Sequence, residues 1–218
     1  MLNSLRDVLN DLVRDLYSAE TQLIKVLPKM AKAAGDAGLK AAITGHLEET
    51  REQAARLEKA CELLGIKAKG KTCQAMKGLL EEGAEVMAEE GSPAAKDAAM
   101  IVAAQKVEHY EIAGYGAARV FATVLGETEV AAMMTQTLEE EKAADAKLTG
   151  IAESTVNDEA DQEGSDDSDE PEEDEDTDED ADEDADEEVE DDEEEAKTKS
   201  APSKSGKMSP AKATTGKR

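Results

Sequence analysis

The chain has 218 residues, a formal net charge of −28 and only 2% aromatic residues. That length allows one well-cored domain plus additional chain. The charge is lopsided: residues 1–156 carry a net −7, and residues 157–218 carry −21. The composition of the first part, rich in Ala, Leu, Glu and Lys, favours helix over sheet. No 18-residue apolar run and no signal peptide occurs, so a soluble, cytoplasmic protein without membrane contact is expected. Cys61 and Cys73 lack the spacing of a metal motif or a disulfide framework and are expected to be reduced.

In chain order, Leu2, Leu5, Leu9, Leu12, Leu16, Leu23 and Met30 alternate steps of three and four, predicting a helix from about residue 3 to 34 that Gly35 ends. Glu20 interrupts this stripe. A second stripe through Leu39, Ala42, His46, Glu49, Gln53, Leu57, Ala60 and Leu64 stops at Gly65. After the basic loop "IKAKGKT", a shorter helix carries Met76, Leu79, Leu80 and Met87 up to "GSP". Pro93 opens a third long helix along Ala94, Ala98, Ile101, Gln105, Glu108, Glu111, Tyr115 and Arg119. The fourth follows Val130, Met134, Leu138, Glu141, Asp145, Leu148 and Ala152, from about 127 to 153. Two short links and one long middle link predict an all-α, antiparallel four-helix bundle built from two hairpins, with a short extra helix in the crossover.

Residues 157–218 form an acidic block over 158–195 and a basic end over 196–218. Neither can bury enough apolar surface to offset chain entropy, so a bundle domain over 1–156 and a disordered tail are expected. The acidic block suits cations or a basic protein partner, and the basic end suits a weak nucleic-acid contact through phosphate charge.

Each long stripe turns polar once near its middle: at Glu20, at His46 and Glu49, at Glu108 and Glu111, and at Glu141 and Asp145. With a constant rise of about 1.5 Å per residue, positions near the midpoints of antiparallel helices lie at one height. Six carboxylates meeting in an apolar interior would each cost several kcal/mol unless protonated or facing cations. No Lys or Arg interrupts the stripes at that level, so the candidate metal ligands are Glu20, His46, Glu49, Glu108, Glu111, Glu141 and Asp145, around two divalent ions. Gln53, one heptad from His46, is placed to support a ligand, while His109 points about 100° away from Glu108. Tyr115 is the candidate catalytic residue, donating to a ligand carboxylate or serving as an oxidisable neighbour. The plainer alternative is a packed ring with its hydroxyl on an acceptor.

The segments "RDLYSAETQLIKVLPKMAKAA", "HLEETREQAARLE", "AAQKVEHYEIAGYGAAR" and "TLEEEKAADAKLT" resemble the YciE/YciF family of ferritin-like stress proteins over about residues 3–153. The resemblance implies a ferritin-like bundle, a homodimer, a di-metal carboxylate centre and a link to stress. Ferritin-like di-iron sites pair single Glu ligands with Glu-x-x-His motifs. Here His46 precedes Glu49, and Asp145 stands where a His would be expected, a nitrogen-poor set that leaves two iron ions or manganese open. A buried di-metal site is expected to oxidise ferrous iron or consume oxygen or peroxide, and the competing expectation is a non-enzymatic, metal-stabilised structural or interaction module.

Overall fold

The computed structural model describes residues 2–166. These form α1 (Leu5–Ala33), α2 (Ala37–Leu64), α3 (Gln74–Ala88), α4 (Pro93–Val124) and α5 (Thr128–Ile151), followed by a π-helical turn (Ala152–Val156) and α6 (Asn157–Asp166). No strand occurs among the described residues.

Local chemistry sets the helix ends. The Ser4 hydroxyl accepts from the Asp7 amide at 3.2 Å, while Asp7 accepts in return from the Asn3 amide at 3.0 Å, a reciprocal cap on α1. Asp36 caps α2 by accepting from the Leu39 amide at 2.7 Å. The same helix ends at Gly65, whose φ of 68° is readily reached only without a Cβ. Ser92 caps α4, and Pro93 follows where its missing N–H costs nothing.

The long helices pack as α1 on α2 and α4 on α5, with α2 against α5 and α1 against α4; α3 lies on α4 and α1. Two buried apolar clusters result. One gathers Leu9, Val13 and Leu16 of α1 with Leu57 of α2, Ala118 of α4 and Met134 of α5. The other gathers Leu23, Leu27 and Met30 with Leu39 and Ile43, Met100 and Ile101, and Leu148. The first thus takes early α1 and late α2, and the second the reverse. The polar level lies at their boundary: on α4 and α5 the polar residues Glu108, Glu111 and Glu141 fall between the two clusters, and on α1 and α2 Glu20 and His46 sit at the near edge of the second.

Asp97 of α4 clamps the α1–α2 turn, accepting from the Gly35 amide at 3.0 Å and the Asp36 amide at 2.5 Å while only 3% exposed. A Cβ on Gly35 would meet Asp97 Oδ2 at 3.1 Å, which favours glycine at this close approach. Asp97→Ala leaves two amides without their carboxylate and is expected to cost about 1–3 kcal/mol in urea denaturation, with Asp97→Asn recovering part of it.

Helical structure continues past the expected boundary at 156: α6 runs to Asp166, and Glu163 on it accepts from the Ala94 amide at 3.1 Å. The start of the acidic block is therefore helical rather than disordered, because it supplies an acceptor for an otherwise orphaned amide at the N-terminus of α4. The remaining calls of disorder, and of tail contacts with basic protein or nucleic acid, fall on 167–218 and lie outside the described residues. No described helix is long and apolar enough to cross a membrane.

Candidate metal centre

Buried side chains from three of the long helices meet at the polar level, and Glu20 of α1 lies beside them, outside the converging group. His46 of α2, Glu108 and Glu111 of α4, and Glu141 of α5 each present one ligand-type atom, all within 4.8 Å of one another. Glu108 and Glu111 are three residues apart on one helix face and so project together. His46 Nε2 lies 3.4 Å from Glu108 Oε1. Nine of the eleven buried side-chain polar atoms left without a hydrogen-bond partner, among the described residues, belong to Glu20, His46, Gln53, Glu108, Glu111 and Glu141. Such atoms are rare in folded proteins, and their concentration here is a donor set that a metal ion could satisfy. Carboxylate oxygens with one imidazole nitrogen suit iron or manganese.

The electrostatics carry the same message. Burial pushes Glu20 up to about 8 and Glu108 up to about 8, while burial and the charge of Glu108 push Glu141 up to about 9. Glu111 is raised well above its ordinary value by burial and by the charges of Glu20, Glu141 and Glu108. Burial would lower the His46 pKa, but interaction with Glu49 and the charges of Glu141 and Glu20 outweigh it and raise it. Each of the carboxyl shifts favours the protonated form, and a cation among them would oppose it.

Glu20 of α1 is fully buried at this level, and Tyr115 OH donates to its Oε1, leaving Oε2 without a partner. The Tyr115 phenol is itself pushed well up by burial and by Glu20 and Glu111. It is a protonated donor held on the Glu20 carboxyl. The other two expected ligands stand apart. Glu49 is 54% exposed at its side chain and approaches only His46 Nδ1, at 3.7 Å. Three residues on from His46, it is rotated roughly 60° toward solvent. Asp145 lies one turn beyond Glu141, with a shorter side chain, and is taken by Gln105 Nε2 at 3.0 Å and by His109 Nε2 at 3.4 Å. His109 is exposed, in keeping with its position on the helix.

Gln53 is buried and donates to Glu140 at 3.2 Å. Glu140 in turn binds Arg56 through both oxygens, at 2.8 and 2.9 Å, and accepts from Gln136 at 2.9 Å. An arginine does therefore approach this level, off the α2 stripe, but its guanidinium is spent on Glu140. Cys73 also has partners that its sequence neighbours do not disclose: its Sγ lies 2.9 Å from Tyr110 OH, which donates to Asp15 at 2.5 Å. Burial raises the Cys73 thiol, and both cysteines are free of disulfides.

Fold and site together define an all-helical protein whose interior carries a histidine–carboxylate cluster able to hold metal. The fold alone spans many activities. The chain belongs to the family described as "Domain of unknown function (DUF892)", whose model matches residues 4–161. It is 44% identical over 163 residues to protein YciF of Escherichia coli K12, covering 74% of this chain and 98% of that protein. The crystal structure of the E. coli stress protein YciF superposes with a TM-score of 0.69 at 45% identity, covering 71% of this chain and 98% of the other. YcfI of Rhodopseudomonas palustris gives a TM-score of 0.66 at 41% identity, covering 68% and 94%.

Proposed function

We propose that the protein is a ferritin-like antiparallel four-helix bundle acting in a stress response, with a two-metal carboxylate centre that oxidises ferrous iron or consumes oxygen or peroxide. One observation carries this: His46, Glu108, Glu111 and Glu141 converge, buried, with side-chain atoms that have no hydrogen-bond partner among the described residues. The link to stress is supported by the likeness to a relative described as a stress protein.

In this reading Glu111 and Glu141, each with both oxygens uncommitted, would hold the metal together with Glu108, neutral His46 and Glu20. Tyr115 orients Glu20 through its hydrogen bond, and Gln53 with Glu140 and Arg56 braces the α2–α5 seam beside the centre. Bound iron or manganese supplies one-electron redox chemistry toward oxygen or peroxide.

Aerobic addition of ferrous iron is expected to generate a carboxylate-bridged ferric absorption in the wild type. Glu108→Ala is expected to bind at least tenfold less iron and to lack that absorption. Absence of iron binding in the wild type sinks the proposal; stoichiometric oxidation without turnover in peroxide removes its enzymatic half.

A second, non-enzymatic reading is favoured by the division of the apolar core into two clusters at the polar level. There, bound metal serves to hold the helices together. Chelation would then lower the melting temperature of a protein that shows no oxidase, catalase or peroxidase activity.

A further inference from the structure

The proposed metal centre is closed on most sides. Glu20, Glu111 and Glu141 are fully buried, and so is Tyr115, which donates to Glu20. His46 and Glu108 alone among the five candidate ligands keep any contact with solvent. A cavity of about 480 Å³ reaches both of them. Its exposed lining residues, Gly45 and Glu49 on α2 and Gln136, Glu139, Ala143 and Lys147 on α5, place the mouth between those two helices.

The lining is divided along its length. Leu27, Met30, Ile43 and Leu148 make an apolar end, and His46, Glu49, Glu139 and Glu140 lie about one to two turns further along α2 and α5. From the mouth inward the polar groups follow one another. Glu49 Oε2 lies 3.7 Å from His46 Nδ1, and His46 Nε2 lies 3.4 Å from Glu108 Oε1. Side-chain exposure falls along this line, from 54% at Glu49 to 9% at His46 and 4% at Glu108, and reaches zero at Glu111 and Glu141.

Two of the carboxylates near the mouth are already taken: Glu139 by Lys142 at 2.9 Å, and Glu140 by Arg56 at 2.8 Å. Glu49 has no Lys or Arg within ion-pair distance among the described residues. An uncompensated carboxylate at the opening of a cleft concentrates cations there. It also replaces part of a hydration shell before the ion meets the fully buried oxygens, where dehydration costs most.

We propose that Glu49 is the entry group of the centre: it receives divalent ions at the α2–α5 mouth and hands them to His46 and Glu108. The inference rests on the metal reading above. A group that touches the ion only in passage lowers the barrier to entry and to exit alike, and leaves the equilibrium constant where it was.

The test is stopped-flow mixing of cobaltous ion with the full, metal-free chain. The chain has three Tyr and no Trp, and Tyr115 sits on Glu20, so quenching of tyrosine fluorescence reports arrival of the ion without any turnover. Glu49→Gln is expected to slow association about five- to tenfold, to slow release into a chelator by a similar factor, and to move the dissociation constant less than about twofold. Ala143→Phe, which sets a ring over the mouth, should slow both steps as well. Gly45→Phe serves if that variant does not fold by circular dichroism, since a Cβ at Gly45 meets nothing within 4 Å. Glu139→Gln should change neither rate by more than about twofold, its carboxylate being exposed and held by Lys142.

Unchanged association in Glu49→Gln overturns the proposal. So does weaker binding with faster release in that variant, because Glu49 would then be a resident ligand. Loading at the wild-type rate with the mouth covered places the route elsewhere and has the same effect. If the wild type binds no cobaltous ion, the metal reading falls and this inference with it; binding at rates indifferent to these changes sinks this inference alone.

Discussion

In the presence of chelator, the protein is expected to melt at least 10 °C lower at pH 9 than at pH 5. Glu20 and Glu108 are pushed up to about 8 and Glu141 to about 9, with burial the largest cause in each case. In the unfolded chain these groups lose their protons near 4.5. Below that value both states hold the protons and the contribution to stability is complete. Between about 4.5 and 8–9 the unfolded state binds fewer protons than the native state, so stability falls as pH rises through that window, and the loss is finished above it. The groups interact, so the total is on the order of several kcal/mol rather than a sum of separate shifts. Glu111→Gln keeps the shape and removes one of the charges. Its metal-free form is expected to fall less steeply with pH and to exceed the wild type in stability at pH 8. Calorimetry or circular dichroism at pH 5, 7 and 9 decides the matter; a flat or rising profile would mean that these carboxyls are solvated or already compensated.

Metal should reverse that slope. At pH 7, with oxygen excluded, ferrous or manganous ion at a hundredfold excess over its dissociation constant is expected to stabilise the fold by about 2.7 kcal/mol. In a chain of this size that corresponds to a rise of roughly 5–10 °C in melting temperature. Binding requires Glu20, Glu108, Glu111 and Glu141 to surrender protons, so a weakly buffered solution should acidify on loading, and affinity should increase toward pH 8–9. Glu108→Ala should show neither the stabilisation nor the full proton release. Equal melting temperatures with and without metal would sink both the di-metal reading and its structural alternative.

Both results follow from the conflict that the sequence exposes. Steps of three and four along Leu9, Leu16 and Leu23 specify a helix and its inner face, and Gly65 and Ser92–Pro93 mark boundaries that the structure keeps to within a residue or so. Glu108 and Glu111 share a face by helical geometry alone. Their burial with His46 and Glu141 was legible because one interruption per stripe recurs near each midpoint. Periodicity was less informative about Glu49 and Asp145, since a helical position gives a direction but neither the reach of a side chain nor its competitors. Asp145 is claimed by Gln105, and Glu49 turns to solvent beside His46.

Taken alone, the amino-acid order determined an all-helical chain and a polar level in its interior, because helical period and side-chain polarity are local properties. Only the tertiary structure decided which atoms converge there. Tyr115 reaches Glu20 across 95 residues of chain, Arg56 reaches Glu140 across 84, and Tyr110 joins Asp15 to Cys73. Asp97 likewise fastens a turn 61 residues away. Such pairings depend on how helices pack and on which partner is nearest, and packing is a property of the whole assembled core.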